Sequence, residues 1–177
     1  KLSQERDDIG WASVGLGSGA GGWWMNALKP PFDDTLVRRA CHLCFNRPRQ
    51  VETYSQAESV YGGVRWSVPR GTPGALTAEE VTALPGYMVD KTADIAEAKS
   101  LLAKAGFANG IKGLEIITPN IPQIQELQAP IFQDSLASIG IEATIRPMER
   151  AAVFEEITKR GFDFLYAVWT MEVMDPW

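Results

Sequence analysis

The 177-residue chain is long enough to bury one compact core and too short for two comfortable ones. Its 45% hydrophobic and 22% charged residues are ordinary for a globular protein, and a formal net charge of −5 speaks against a nucleic-acid partner, which favours a basic face. No apolar run is long enough to span a bilayer, and the polar opening Lys1 to Gly10 does not have the form of a secretory leader. Both ends read as interrupted: the chain opens mid-stream and stops at Asp175-Pro176-Trp177, so the missing leader does not assign a compartment.

In chain order, Ile9 to Leu16 reads as a loose strand and Gly15 to Gly22 as a glycine-dense loop. Trp23 to Leu28 is a second short apolar run, closed by Lys29-Pro30-Pro31, where two prolines stop regular pairing. If that run is a strand, Trp23 and Trp24 lie on opposite faces, one in the core and the other available to a ligand. A helix is expected from about Asp34 to Phe45, behind the capping residues Asp33-Asp34. A second runs from Pro48 to about Glu58, with proline well placed at a first helical position. Tyr61 to Tyr87 is irregular, rich in Gly, Pro and Trp, with one helical turn expected at Thr77 to Leu84.

The second half is more regular. Asp94 with Glu97 three residues on has the form of a capping box, and Ala98, Leu101, Leu102 and Ala105 make an apolar face that Gly106 terminates. Leu114 to Thr118 is a strand. A long helix carries Ile124, Leu127, Gln128, Ile131, Phe132, Leu136 and Ile139 on one face, with Pro130 expected to kink it or delay its start. Ile141, Ala143 and Ile145 alternate as a strand, Glu149 to Arg160 is a helix ended by Gly161, and Phe162 to Trp169 is a nearly continuous apolar strand. Strand, helix, strand, helix, strand predicts right-handed crossovers and a partly parallel sheet.

Cys41 and Cys44 form a C-H-L-C pair that superficially suggests redox or metal chemistry. Both fall on an apolar helical stripe with Leu36, Val37 and Ala40, where free Cys acts as a small hydrophobe. No second Cys pair completes a zinc site, and the single histidine, His42, has no partner for a metal and reads as a surface or boundary residue. Adjacent acids such as Asp33-Asp34 and Glu155-Glu156 sit at caps or solvated faces, and no nucleophile elbow, zincin motif or phosphate loop occurs. No cofactor and no metal is expected. Gly17, Gly19 and Gly22 do satisfy G-x-G-x-x-G, but a dinucleotide site needs a helix directly afterwards, and Pro30-Pro31 follows too soon.

In open α/β sheets, ligands gather beyond the carboxyl ends of the strands. Three segments occupy such ends: Thr118-Pro119-Asn120, Arg146-Pro147-Met148, and Trp169 to Asp175. Trp169 offers an apolar wall with one N–H donor, and Glu172 a carboxylate for a cationic ligand group.

These segments carry a family resemblance. K-P-P-F-D-D-T-L-V-R-R-A (Lys29 to Ala40), preceded by Asn26, resembles a signature of the extracellular solute-binding proteins of peptide and nickel importers. So do Leu84 to Gly110, the string S-L-A-S-I-G-I-E-A and the string R-G-F-D-F-L-Y-A-V-W. The resemblance implies an α/β, periplasmic-binding-protein-like lobe of the type II, peptide-binding subclass, with a mixed sheet flanked by helices. It implies that residues 1–177 are most of the second lobe of a two-lobed receptor, without the first lobe and the final returning segment. Dipeptide-binding relatives run their last matched strand into Trp-x-x-Asp-x-x-Asp-Pro, whose first Asp pairs with the ligand's α-amino group. Trp169, Glu172, Asp175 and Pro176 keep that spacing, with Glu in place of Asp. The implied ligand-binding residues are therefore Trp169 and Glu172, then Trp24, Met25 and Asn26 on a strand near the cleft. The implied partners are a peptide or small solute and the membrane subunits of an ABC importer, in the periplasm or another extracytoplasmic space, with no catalysis. Two alternatives are a nucleotide-dependent enzyme using the Gly17–Gly22 loop and a non-transporting lobe that docks a signalling partner.

Overall fold

The computed structural model describes residues 19–56 and 76–170. The expected strand at Ile9 to Leu16, most of the irregular segment from Tyr61, and Glu172 lie outside the described residues. Strand β1 (Gly19–Met25) is followed by helices α1 (Thr35–Cys44), α2 (Arg47–Gln56), the short α3 (Ala78–Thr82) and α4 (Thr92–Lys104). Then come β2 (Ile111–Pro119), a π-helical turn (Gln123–Gln128), α5 (Ala129–Ala137), β3 (Ile141–Met148), α6 (Arg150–Lys159) and β4 (Phe164–Thr170).

The sheet order is β1-β4-β2-β3. β2 runs parallel to both β3 and β4, as the strand-helix-strand pattern requires, and β1 lies antiparallel on the outside of β4. Helices cover both faces. The larger core packs α1, α4 and α5 on Ile116 and Phe164; the smaller one packs Val153 of α6 on Ile117 and Leu165. Neighbouring residues thus enter opposite cores, which is why 116–119 and 164–166 are buried without alternation.

Asp34 caps α1, its Oδ1 accepting from the Leu36 N–H at 2.7 Å, and the helix buries Val37, Ala40, Cys41, Leu43 and Cys44. Thr77 and Glu80 form a reciprocal capping box on α3. The box expected from Asp94 and Glu97 does not form. The helix begins three residues earlier, with Lys91 at the cap, and Asp94 is buried, accepting from the Gly86 N–H and from Lys91 Nζ. A carboxylate in the first turn suits the helix dipole, and here the preceding turn claims it. At the other end Gly106 takes φ +90°, with Phe107 N–H donating to Leu102 O at 2.8 Å and Gly106 N–H to Ala103 O at 3.1 Å, the paired bonds of a Schellman ending.

Pro130 acts as its lack of an N–H requires. The long apolar helix is split: a π-helical turn precedes it, closed by the Ala129 N–H on Ile124 O, and Pro130 falls in the first turn of α5. The stop of α6 is shifted by one residue. Arg160, not Gly161, takes the left-handed conformation (φ 56°, ψ 35°), while Gly161 provides the room against Glu156.

Candidate functional site

Three parallel strands end on one edge, at Pro119, Met148 and Thr170, and antiparallel β1 starts there, Gly19 pairing with Thr170. The edge has two unlike halves. Between β2 and β3 the chain's own groups close it. The Asn120 N–H donates to Met148 O at 2.8 Å, Asn120 Nδ2 to Glu149 Oε1 at 3.2 Å, and Gln125 Nε2 to Asn120 Oδ1 at 2.8 Å. Arg146 turns back along the sheet to pair with Glu115 at 3.0 Å. Of the three strand-end segments picked out in the sequence, two are therefore internally satisfied. Thr118 is the exception within them: it is fully buried, and its Oγ1 has no hydrogen-bond partner among the described residues.

In the half made by β1 and β4, the described residues leave one position open. Opposite Ala167 stands Gly22, and a Cβ added at Gly22 would meet nothing within 4 Å. Ala20 pairs with Trp169 one step nearer the edge. Gly22 and Ala167 share the face of Trp24 and Leu165, and among the described residues that face is open over Gly22.

The predicted site residues divide accordingly. Trp23 and Trp24 face opposite ways, as a strand demands. Trp23 stacks on Phe132 at 4.5 Å with 4° between rings and meets Tyr166 edge-on at 5.1 Å, whereas Trp24 is half-buried against the smaller core. Met25 packs on the larger core. Asn26 is buried and bonded within the chain. Its Nδ2 donates to Arg160 O at 2.8 Å and Phe162 O at 3.1 Å, and its Oδ1 accepts from the Leu28 N–H at 3.2 Å. That amide ties the exit of β1 to the approach to β4, and both of its donors are spent.

The Cys pair is inside. Both thiols are free and buried, and burial pushes both pKa values up, that of Cys44 to about 12. They are protonated hydrophobes, not thiolate ligands or nucleophiles. No group of three or more His, Cys, Asp or Glu able to hold a metal occurs among the described residues, and no helix among them is long and apolar enough to cross a membrane. The glycine run does not open a helix: Gly19 to Gly22 are strand residues, and the next helix starts at Thr35. The strand-turn-helix of a dinucleotide site is absent from the described residues, which removes the support for that alternative. One cluster went unnoticed in the sequence. His42, Arg47, Gly86, Lys91 and Asp94 converge on a single turn, and L-P-G-Y followed by an acid eight residues after the glycine was its only trace.

Known proteins share this fold. A "Probable di/tripeptide-binding protein 5" of Pseudomonas aeruginosa strain UCBPP-PA14 is 26% identical over 162 residues, 86% of this chain and 27% of that protein. A "Dipeptide-binding protein" of Pseudomonas aeruginosa PAO1 is 27% identical over 155 residues, 85% of this chain and 27% of that protein. The chain therefore spans about a quarter of the length of these curated relatives. Among solved structures, the ABC transporter-associated periplasmic binding protein DppA from Helicobacter pylori, in complex with peptide STSA, superposes with a TM-score of 0.70 at 26% identity, covering 92% of this chain and 29% of that one. The Escherichia coli murein tripeptide binding protein MppA shares the fold, with a TM-score of 0.72 at 19% identity over 91% of this chain and 31% of that one. The family described as "Bacterial extracellular solute-binding proteins, family 5 Middle" matches residues 2–177, and the chain belongs to that family.

Proposed function

We propose that this chain is most of the second lobe of a two-lobed substrate-binding component that hands short peptides to an ABC importer, acting outside the cytoplasm and by binding rather than catalysis. The observation that carries the reading is the family match over residues 2–177, with relatives named for di- and tripeptides. The open space over Gly22, on the face that Trp24 shares, supports it. Trp169 supplies the apolar wall, and Glu172 pairs with the ligand's α-amino group. The other wall belongs to the first lobe, and contacts made only in the closed form hold the two lobes together. Trp24 contributes its half-buried ring, while Met25 and Asn26 contribute by setting the position of β1.

The test is a panel of di- and tripeptides against the intact two-lobed protein, read by thermal shift and calorimetry. A peptide at a hundred times its Kd stabilises the native state by about 2.7 kcal/mol. Stabilisation by amine-bearing peptides, lost on N-acetylation and weakened in Glu172→Gln, is the expected result. A protein indifferent to every peptide but stabilised by a sugar or a metal chelate refutes the peptide reading. Unchanged affinity in Glu172→Gln removes that residue from the site.

A further inference from the structure

The turn at Pro85-Gly86-Tyr87 joins α3 to α4 and is held by side chains from three helices. The Gly86 N–H donates to both oxygens of Asp94, at 3.2 and 3.1 Å. Its carbonyl accepts from Arg47 Nη1 at 2.6 Å and Lys91 Nζ at 3.1 Å, and Lys91 Nζ also reaches Asp94 Oδ2 at 2.5 Å. The Arg47 guanidinium lies over the buried Tyr87 ring, 4.2 Å from its centre. His42, on α1, touches the same turn. Its Nε2 is 3.2 Å from Pro85 O and its Nδ1 3.3 Å from Arg47 Nη2, and a Cβ placed on Gly86 would come within 2.7 Å of Nε2.

This contact set admits one protonation state of the imidazole. Arginine only donates, so Nδ1 must present its lone pair, and Nε2 must carry the hydrogen that Pro85 O accepts. A second proton would sit on Nδ1, pointing at an Arg47 N–H. The charged and titratable groups facing the ring are Arg47 from α2, Lys91 and Asp94 from the head of α4, and Tyr87 from the turn. Two cations already oppose one anion, and an imidazolium would be a third cation.

We propose that His42 is the trigger of an acid-sensitive latch: neutral, it locks the 85–91 turn to α1 and α2, and protonated, it breaks with Arg47 and releases that turn. His42 is exposed at the surface, yet partial desolvation against the turn and then the Arg47 charge lower its pKa in the folded state. A depressed folded pKa gives stability that is complete above the ordinary imidazole value of about 6.5 and is lost as pH falls below it. Release frees the link between α3 and α4, where Val89 is already 74% exposed.

The test uses the intact protein and His42→Gln, whose amide nitrogen still donates to Pro85 O but does not titrate. Amide exchange of residues 86–91, corrected for its intrinsic pH dependence, rises severalfold in the wild type between pH 7.5 and 5.0 and stays level in the variant. Equal rises in both proteins overturn the latch. Should His42→Gln fail to fold, nitrogen NMR of the wild-type imidazole decides, with the resonance assigned by its shift in Arg47→Lys. A midpoint below 6.5 with the hydrogen on Nε2 upholds the proposal, and a midpoint at or above 6.5, or the hydrogen on Nδ1, refutes it.

Discussion

Replacing Asn26 separates a residue that builds the lobe from one that touches its ligand. Asn26→Ala removes both donors from the Arg160 and Phe162 carbonyls and the acceptor from the Leu28 N–H. A buried carbonyl left without a donor costs ~1–3 kcal/mol. The bond to Phe162 is buried and bears that cost in full, whereas Arg160 O is only part-buried and is partly rehydrated. The expected loss is ~2–4 kcal/mol, a large share of the 5–15 kcal/mol that a domain typically has. Asn26→Asp keeps the shape but sets an acceptor-only carboxylate against two carbonyls, so at pH 7 it costs at least as much. That variant's folded pKa must lie above the unfolded value, because burial and the carbonyls favour the protonated acid. Its deficit therefore shrinks as pH falls toward ~4. Urea unfolding at several pH values reads both effects, with a shifted midpoint and an unchanged slope. An Asn26→Ala protein within ~0.5 kcal/mol of wild type that has lost peptide binding refutes the structural role and makes Asn26 a ligand contact.

Three further substitutions probe the frame of the lobe. Phe132 stacks on Trp23 and meets Phe164 and Phe45 edge-on at 5.1 and 5.6 Å, so Phe132→Ala costs ~3–5 kcal/mol in chemical denaturation and quenches the order of the Trp23 ring in near-UV circular dichroism. Asp94→Asn strands the buried Lys91 ammonium and costs ~3–5 kcal/mol. Glu97→Gln, which breaks only the exposed pair with Arg39, shifts the unfolding midpoint by an amount equivalent to less than ~1 kcal/mol. Equal losses from these two acids contradict the burial difference on which the comparison rests.

Much of the sheet was legible because its signals are local. Gly106 and Gly140 mark chain reversals, Pro130 cannot donate, and the nearly continuous apolar run from Phe162 to Trp169 demands cover on both faces. Asp94 misled for an instructive reason. As a pattern, D-x-x-E satisfies a capping box, but the turn at Gly86 offers its carboxylate two N–H···O contacts and a lysine, and that arrangement depends on residues eight positions away. Arg160 misled similarly. Its left-handed backbone is held by Asn26, 134 residues distant in the chain, and no window around Gly161 contains that information. His42 is exposed, in keeping with its reading as a surface or boundary residue, but its contact with Pro85 comes from a distant segment that its own window does not contain.

The placement of β1 was the least legible feature and matters most for function. The glycines at 19, 21 and 22 argued for a loop, since each glycine inside a strand sacrifices ~0.5–1 kcal/mol relative to alanine. Pairing with β4 holds them in a strand all the same, in unbroken register from Gly19 with Thr170 to Met25 with Phe164. Packing among the described residues does not explain why a glycine stands at 22, because there a methyl group would meet none of them within 4 Å. The two tryptophans of β1 are drawn into opposite cores at its far end, so the strand is anchored where it is bulky and stripped where it reaches the carboxyl edge. A strand that gives up its own stability only where it borders the ends of the parallel strands is shaped for something that lies across it. An extended peptide backbone, slim and rich in hydrogen-bonding groups, suits such a floor better than a bulky compact solute does.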